Sequence, residues 1–367
     1  MQSKVYFTDL RVSIDRNIFE KIDELLKISN LNSVFSKHNL VALKLHFGEL
    51  GNPKTVNPTF VRQIVQFVRK YGGKPFLTDT NTLYRGTRGN SAAHLETALK
   101  NGYNFLTTDA PIIIADGLRS ANYKEVEIHK KHYKKVKIAQ EIYYADSIIS
   151  IAHFKGHELM AFGGAIKNIG MGCASRAGKL SMHSSLIPYV DKRRCEACQS
   201  CVRWCPQNAI VVEETAVIDK KRCIGCCECI SACPNGAIQI QWDEDAKNAQ
   251  EKLVEYFYGV ARIKQGRVGY INFLLDISPE CDCYQYSDYP IVPDIGIVAS
   301  LDPVAVDLAS VDLVNSQRGL RGSKLRSGFE EGEDKFKSLY PSIDWDVQLK
   351  YAEKLGLGVQ NYELVKI

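Results

Sequence analysis

The chain has 367 residues, enough for two or three domains and a sizeable buried core. Its composition, 45% hydrophobic and 24% charged, is that of an ordinary globular protein, and the formal net charge of +5 is modest. The first ten residues hold no apolar core of signal-peptide length, and no stretch reaches the roughly eighteen apolar residues of a membrane span. A cytoplasmic location with no membrane partner is therefore expected.

Residues 40–47, L-V-A-L-K-L-H-F, read as a buried strand. Asn57 suits the N-cap of a following helix and Pro58 its first turn, with Val61, Ile64, Val65 and Val68 as the apolar stripe. Gly72 and Gly73 end that helix, and residues 74–79 lead into the next strand. Ser91 is expected to cap a second helix that stops at Gly102. Further strands are expected at 112–115, 147–152 and 296–300, and a C-terminal helix at 345–355 is ended by Gly356. Apolar runs alternating with helices predict an α/β fold with a mostly parallel sheet covered on both faces.

The strands end in polar residues: Lys44 and His46, Asp79, Asp116, His153 with Lys155 and His157, and Ser300 with Asp302. Ligands of open parallel sheets bind beyond the carboxyl ends of the strands, so these groups are expected on one rim. Taken singly, each also serves as a cap or turn former. Next comes the glycine-rich run 151–173, where Gly163, Gly164, Gly170 and Gly172 allow close backbone approach and Lys167 supplies a point charge. It is neither a dinucleotide fingerprint nor a phosphate loop of known spacing. It reads either as the cradle of an anionic cofactor, a flavin for example, or as a loop packed tightly on the sheet. His183 follows shortly.

Residues 195–206 read C-E-A-C-Q-S-C-V-R-W-C-P, and 223–234 read C-I-G-C-C-E-C-I-S-A-C-P. Both fit C-x2-C-x2-C-x3-C-P, the ligand run of proteins that carry two [4Fe–4S] clusters. The likeness extends to the flanks, Val190-Asp191-Lys192 against Ile218-Asp219-Lys220, so the run is an internal duplication. Three cysteines wrap one face of a cubane, while the fourth leads away and reaches the other cluster. One cluster is thus assigned to Cys195, Cys198, Cys201 and Cys233, the other to Cys223, Cys226, Cys229 and Cys205. Each loaded site carries a charge of about −2, which brings the net charge from +5 to about +1 and leaves no basic signal for nucleic acid. Cys227 reads as a packed bystander. Cys281-Asp282-Cys283 reads either as a transition-metal or third redox site or as two inert buried thiols.

Residues 188–243 resemble the bacterial two-cluster ferredoxins. The chain as a whole resembles the domain of unknown function 362 family, through L-K-L-H-F-G-E, T-D-T-N, H-F-K-G-H with G-G-A-I-K-N-I-G-M-G, C-D-C, P-D-I-G and S-L-D-P-V-A-V-D. A fainter resemblance joins His157, Gly163-Gly164, Lys167 and His183 to the nickel-pincer site of the lactate racemase family. Two residues, Ala165 and Ile166, separate the glycines from Lys167 where that family has one, and its upstream histidine-rich motif has no counterpart. The likeness implies a shared cofactor-binding loop, and the departures argue against nickel-pincer chemistry.

The expected organisation is an α/β domain (1–187 and 244–367) interrupted by a small α+β two-cluster ferredoxin-like domain (188–243). The expected function is that of an iron–sulfur oxidoreductase relaying electrons between two [4Fe–4S] clusters and a cofactor or substrate at the rim. His46, His157, Lys167 and His183 are its candidate catalytic groups, with a redox partner protein or a small molecule at the other end. The alternatives are a dedicated electron carrier and a racemase-like enzyme with structural clusters.

Overall fold

The computed structural model describes residues 2–84, 86–183, 187–241 and 244–367; the expected boundary at residue 243 falls outside them. Eight strands form one sheet: β1 (Ser3–Asp9), β2 (Leu40–Lys44), β3 (Lys74–Asp79), β4 (Ile112–Ile114), β5 (Ser147–His153), β6 (Val268–Leu274), β7 (Gly296–Ser300) and β8 (Tyr362–Lys366). Their order is β8-β1-β7-β6-β5-β2-β3-β4. The five strands from β6 to β4 are mutually parallel, and β8 is parallel to β1. Only β7 runs against its neighbours. That reversal corrects one expectation. Ser300 and Asp302 end up at the opposite rim from His46 and Asp79, where Ser300 Oγ donates to Lys4 O at 2.7 Å.

Alternation along each strand divides the apolar residues between two cores. Val41 and Leu43 face one side while Ala42 faces the other, and Ile271 and Phe273 oppose Tyr270 in the same way. The first side is covered by α1 (Ile18–Ile28), α2 (Pro58–Lys70) and the Ala98 side of α3 (Ser91–Lys100). The second is covered by α4 (Ala165–Gly170), α6 (Ala246–Lys264), α7 (Pro303–Asn315) and α8 (Asp346–Lys354), while α5 (Arg176–His183) lies at its edge.

Local chemistry explains most helix limits. Asn57 Oδ1 accepts the Thr59 N–H at 2.9 Å, Pro58 opens α2, and its four expected stripe residues are buried. At α3 the cap is Asn90, which accepts from Ala93 N at 3.0 Å. Ser91 begins that helix instead, and its hydroxyl donates to Gly117 O at 2.7 Å. Helix α8 stops before Gly356, whose φ of 72° suits a residue without Cβ.

Between α5 and α6 the cysteine-rich segment forms a small two-fold unit. Tyr189–Val190 pairs with Ile238–Gln239, and Ile210–Val212 pairs with Ala216–Ile218. Left-handed φ values recur at Ala197 and Gly225, at Gln199 and Cys227, and at Asn208 and Gly236, so the sequence repeat is also a backbone repeat. The large sheet draws β6, β7 and β8 from beyond this segment.

Candidate functional site

Because β2, β3 and β5 are parallel, their carboxyl ends open onto one rim. A cavity of about 540 Å³ lies there. Lys44 and His46 enter it from β2, Asp79 from β3 and His153 from β5. The chain then makes a hairpin, Lys155–His157 with Ala161–Gly163, and continues through Gly164 into α4. This second wall contributes His157, Gly163, Gly164 and Lys167, and α5 adds Lys179 and His183. A turn after β6 contributes Cys281 and Cys283. The four candidate catalytic residues thus line one cavity.

Its wall is rich in cations. Lys44 Nζ lies 3.0 Å from Asp79 Oδ1. Arg88 bridges Glu49 at 3.1 Å and Asp79 at 3.4 Å. Burial alone would raise the Asp79 pKa, but the charge of Lys44, with that of Lys179 farther off, holds it below the usual carboxylate range. Lys155 pairs with Asp282 at 2.9 Å. Lys167 Nζ donates to Cys281 Sγ at 3.2 Å. Burial works against the Lys167 charge, and the Cys281 thiolate overcomes it, so its pKa is raised. Lys179 donates to Thr80 Oγ1 and Asn81 O, both at 2.6 Å, with no carboxylate oxygen within 4.0 Å among the described residues. Burial pushes it down to about 8. It is the one cavity lysine whose charge no anionic side chain offsets within that distance among the described residues.

Two of the cavity histidines, His46 and His183, are held neutral. Burial, aided by Arg88, lowers His46 well below its ordinary value, and His46 Nδ1 accepts from Gly48 N at 3.0 Å. Burial, with His157 and Lys167 nearby, brings His183 to about 3. His157 Nδ1 accepts from Leu159 N at 3.1 Å and Met160 N at 3.2 Å, which leaves its proton on Nε2.

The glycines do different work from that expected of a bare cradle. Gly163, Gly164 and Gly172 line the cavity, but their missing Cβ atoms make room for protein groups: Lys167 beside Gly163, Asp307 beside Gly164, and Lys44 beside Gly172. Asp307 accepts from Ala165 N at 2.7 Å, Ile166 N at 2.9 Å and Asn272 Nδ2 at 2.8 Å, fixing the start of α4. Gly170 is a correction. It lies away from the cavity, against the Leu253 carbonyl of α6, because the helix turns it to the packed side. Asp116 also sits off the cavity, bound to Asn81 Nδ2 at 2.9 Å. Arg88, Lys179 and Tyr284 line the cavity and carried no expectation; Lys179 stands four residues before His183, a helical spacing that marks one face.

The eight motif cysteines ring two smaller cavities. Cys195, Cys198, Cys201 and Cys233 line one, and Cys205, Cys223, Cys226 and Cys229 line the other. Counting motif positions alone, each ring takes three thiols from one run and the fourth from the other, and Cys227 also borders the second cavity. Among the described residues, no three His, Cys, Asp or Glu side chains converge as they would on a single ion. Backbone N–H groups point at the sulfurs: Ala209 to Cys205 at 3.1 Å, Ala237 to Cys233 at 3.2 Å and Ala216 to Cys195 at 3.3 Å. Cys227 is buried in one apolar cluster with Leu83, Leu180 and Ile240. Leu83 lines the large cavity, so this cluster joins the cysteine unit to the cavity wall. Arg119 stacks over Trp204 at 3.8 Å across the same junction.

Among the described residues no helix is long and apolar enough to cross a membrane. No curated protein matches the sequence. Among solved structures, one that matches is the lactate racemase apoprotein from Thermoanaerobacterium thermosaccharolyticum, at 13% identity and a TM-score of 0.42. That match covers 87% of this chain and 59% of the racemase, so the chain spans less than two thirds of its length. Residues 41–312 match the family described as domain of unknown function (DUF362). That is well over half of the 367 residues, and the chain belongs to the DUF362 family.

Proposed function

We propose that this chain is an iron–sulfur oxidoreductase with two [4Fe–4S] clusters in an inserted ferredoxin-like domain, acting on an anionic cofactor or substrate in the cationic cavity. The observation that carries the reading is the pair of interleaved thiol rings, each combining three cysteines of one run with the fourth of the other. Cys195, Cys198, Cys201 and Cys233 would hold one cluster, and Cys223, Cys226, Cys229 and Cys205 the other. The donor set fits: all eight thiols are free of disulfides, and three backbone N–H groups are aimed at ligand sulfurs to offset their charge. Once bound, such clusters supply one-electron transfer.

The chain's own residues do the rest. Lys179 and Lys167 bind and orient an anion, in a cavity whose volume falls in the ~300–1,000 Å³ range of small-molecule sites. His46 and His183, neutral at pH 7, accept protons, and His157 offers a hydrogen bond through Nε2. Leu83, Leu180 and Ile240 exclude water between the cavity and the cysteine unit. The built cavity favours an enzyme over a dedicated carrier. The setting is a reducing cytoplasm, where crowded thiols stay available for metal, with a redox partner protein or a small molecule completing the circuit.

The test is anaerobic purification of the full chain, followed by iron and sulfide assay, EPR of the reduced protein, and mass spectrometry of small molecules released on denaturation. Eight irons and eight sulfides per chain are expected, with an anionic redox-active molecule released. A folded chain that binds zinc in place of iron would overturn the reading.

A further inference from the structure

We propose that Cys281 and Cys283 form a redox-active thiol pair that exchanges with an anionic small-molecule disulfide bound in the cavity. The inference concerns a different set of thiols from the cluster ligands and stands independently of iron.

The pair is built by the backbone. Tyr284 N–H donates to Cys281 O at 3.1 Å and closes a four-residue turn with Asp282 and Cys283 at its corners. Buried groups pin that turn. Asp282 lies 2.9 Å from His153 Nδ1 and 2.9 Å from Lys155 Nζ, and its carbonyl accepts from Glu49 N at 3.1 Å. Behind it, Gly156 packs so closely on Pro279 that any Cβ would collide with the Pro279 carbonyl, and Gly156 N–H donates to Ser278 O at 2.8 Å. This close approach sets His157 beside Cys281.

Lys167 Nζ donates to Cys281 Sγ at 3.2 Å, and Cys283 and His157 line the same cavity wall as Cys281. With Nδ1 of His157 occupied by two backbone N–H groups, the proton it offers is on Nε2. The Cys283 thiol, Lys167 and His157 together overcome burial and hold Cys281 as a thiolate, while its donor Cys283 is kept protonated. Cys173 is the contrast. It is buried without such donors, and its thiol is pushed up to about 12. A thiolate beside a thiol is the attacking and resolving arrangement of thiol–disulfide exchange. Both sulfurs line the cavity into which Lys179 projects with no carboxylate within 4.0 Å among the described residues, which is why the disulfide should be anionic.

The chemistry balances in two steps. The Cys281 thiolate attacks one sulfur of the substrate disulfide, forming a mixed disulfide and expelling a thiolate. Cys283 then attacks Cys281 Sγ, loses its proton to the second departing thiolate, and closes the Cys281–Cys283 bond. The protein pair has given up two electrons, and the substrate has become two thiol species. Donors that stabilise the reduced thiolate make the protein disulfide easy to reduce, so the cycle also runs backwards.

The experiment equilibrates the full chain anaerobically with graded ratios of reduced and oxidised glutathione, as the anionic probe. Acid quenching, alkylation and peptide mass spectrometry then read the peptide carrying both cysteines. A single two-electron transition to the disulfide is expected, with native Cys281 alkylating at pH 7 at least about tenfold faster than Cys173. Lys167→Met should shift the equilibrium toward the disulfide about tenfold, ~30 mV for two electrons. A pair that stays reduced across every ratio, or a Cys281 no faster than Cys173, would overturn the proposal; both are read on the wild-type chain. An iron assay of the same sample separates this outcome from that of the cluster reading.

Discussion

Leu180 and Cys227 share one buried apolar cluster, so the helix that puts Lys179 into the cavity also touches the loop between Cys226 and Cys229. Gly225 keeps this approach open, since a Cβ there would stand 3.3 Å from Leu180 Cδ2. Of the two thiol rings, the one containing Cys226 and Cys229 therefore abuts the cavity wall. Leu180→Ala should cost about 2–4 kcal/mol. The loss should appear as an early, separate urea transition for the cysteine unit, reported by Trp204 fluorescence. A single transition displaced as a whole would mean that the unit and the sheet unfold together.

The proposed crossed ligation makes a sharp genetic prediction. Cys205→Ser should damage the centre held by Cys223, Cys226 and Cys229, and leave the centre of its sequence neighbours intact. EPR of the reduced variant reads the outcome, and loss of the Cys195, Cys198 and Cys201 centre instead would refute the crossing.

On the proposed reading, Lys179 should give the cavity a pH-dependent affinity for anions. Its pKa near 8 means that it is charged below that pH and neutral above it. Binding of flavin mononucleotide, measured by calorimetry, should weaken as pH rises from 7 to 9. Lys179→Met should weaken binding at pH 7 by about tenfold or more and flatten the pH profile. An unchanged profile would remove Lys179 from the site.

Acid should destabilise the fold through buried histidines, partly offset by Asp307, whose carboxyl burial pushes up to about 6. Burial holds His94 and His183 near 3 in the folded chain, against 6.5 when unfolded, and lowers His46 as well. Between these values the unfolded chain binds more protons, so stability falls as pH drops below 6.5. Each such histidine contributes about 1.4 kcal/mol per pH unit at full slope. Urea midpoints from pH 6.5 to 4.5 should fall accordingly, and His94→Gln should reduce the slope by about one proton. A flat midpoint over that window would show the histidines to be accessible.

Gly156→Ala should destabilise by about 1–3 kcal/mol, because the new Cβ meets backbone that cannot move aside. It should also slow alkylation of Cys281, since it pushes His157 away. Equal alkylation rates would separate the Gly156 contact from the thiolate.

Patterns of short range were readable before any coordinates. The Asn57-Pro58 start of α2 and its Val61, Ile64, Val65 and Val68 stripe need only helical period and cap chemistry. The duplication of the cysteine runs follows from a 28-residue offset between Cys195 and Cys223, and the expected crossing from the spacing within each run. His46, Asp79 and His157 could be placed on one rim because parallel strands share the direction of their carboxyl ends, and Lys167 because it follows in the glycine-rich run. The cap of α3 was misplaced by one residue because Asn90 and Ser91 are both good N-caps, and only the bond from Ser91 to Gly117 chooses between them. What no local pattern could decide was strand direction and what each buried charge meets. Reversal of β7 removes Ser300 and Asp302 from the rim, and that reversal depends on pairing between segments almost 300 residues apart, Tyr6 with Ala299. Likewise the lowered pKa of Cys281, the packing contact of Gly170 and the lowered pKa of Lys179 arise through partners distant in sequence. Coulombic and desolvation energies depend on distance and burial in space, and neither is written in the order of the residues.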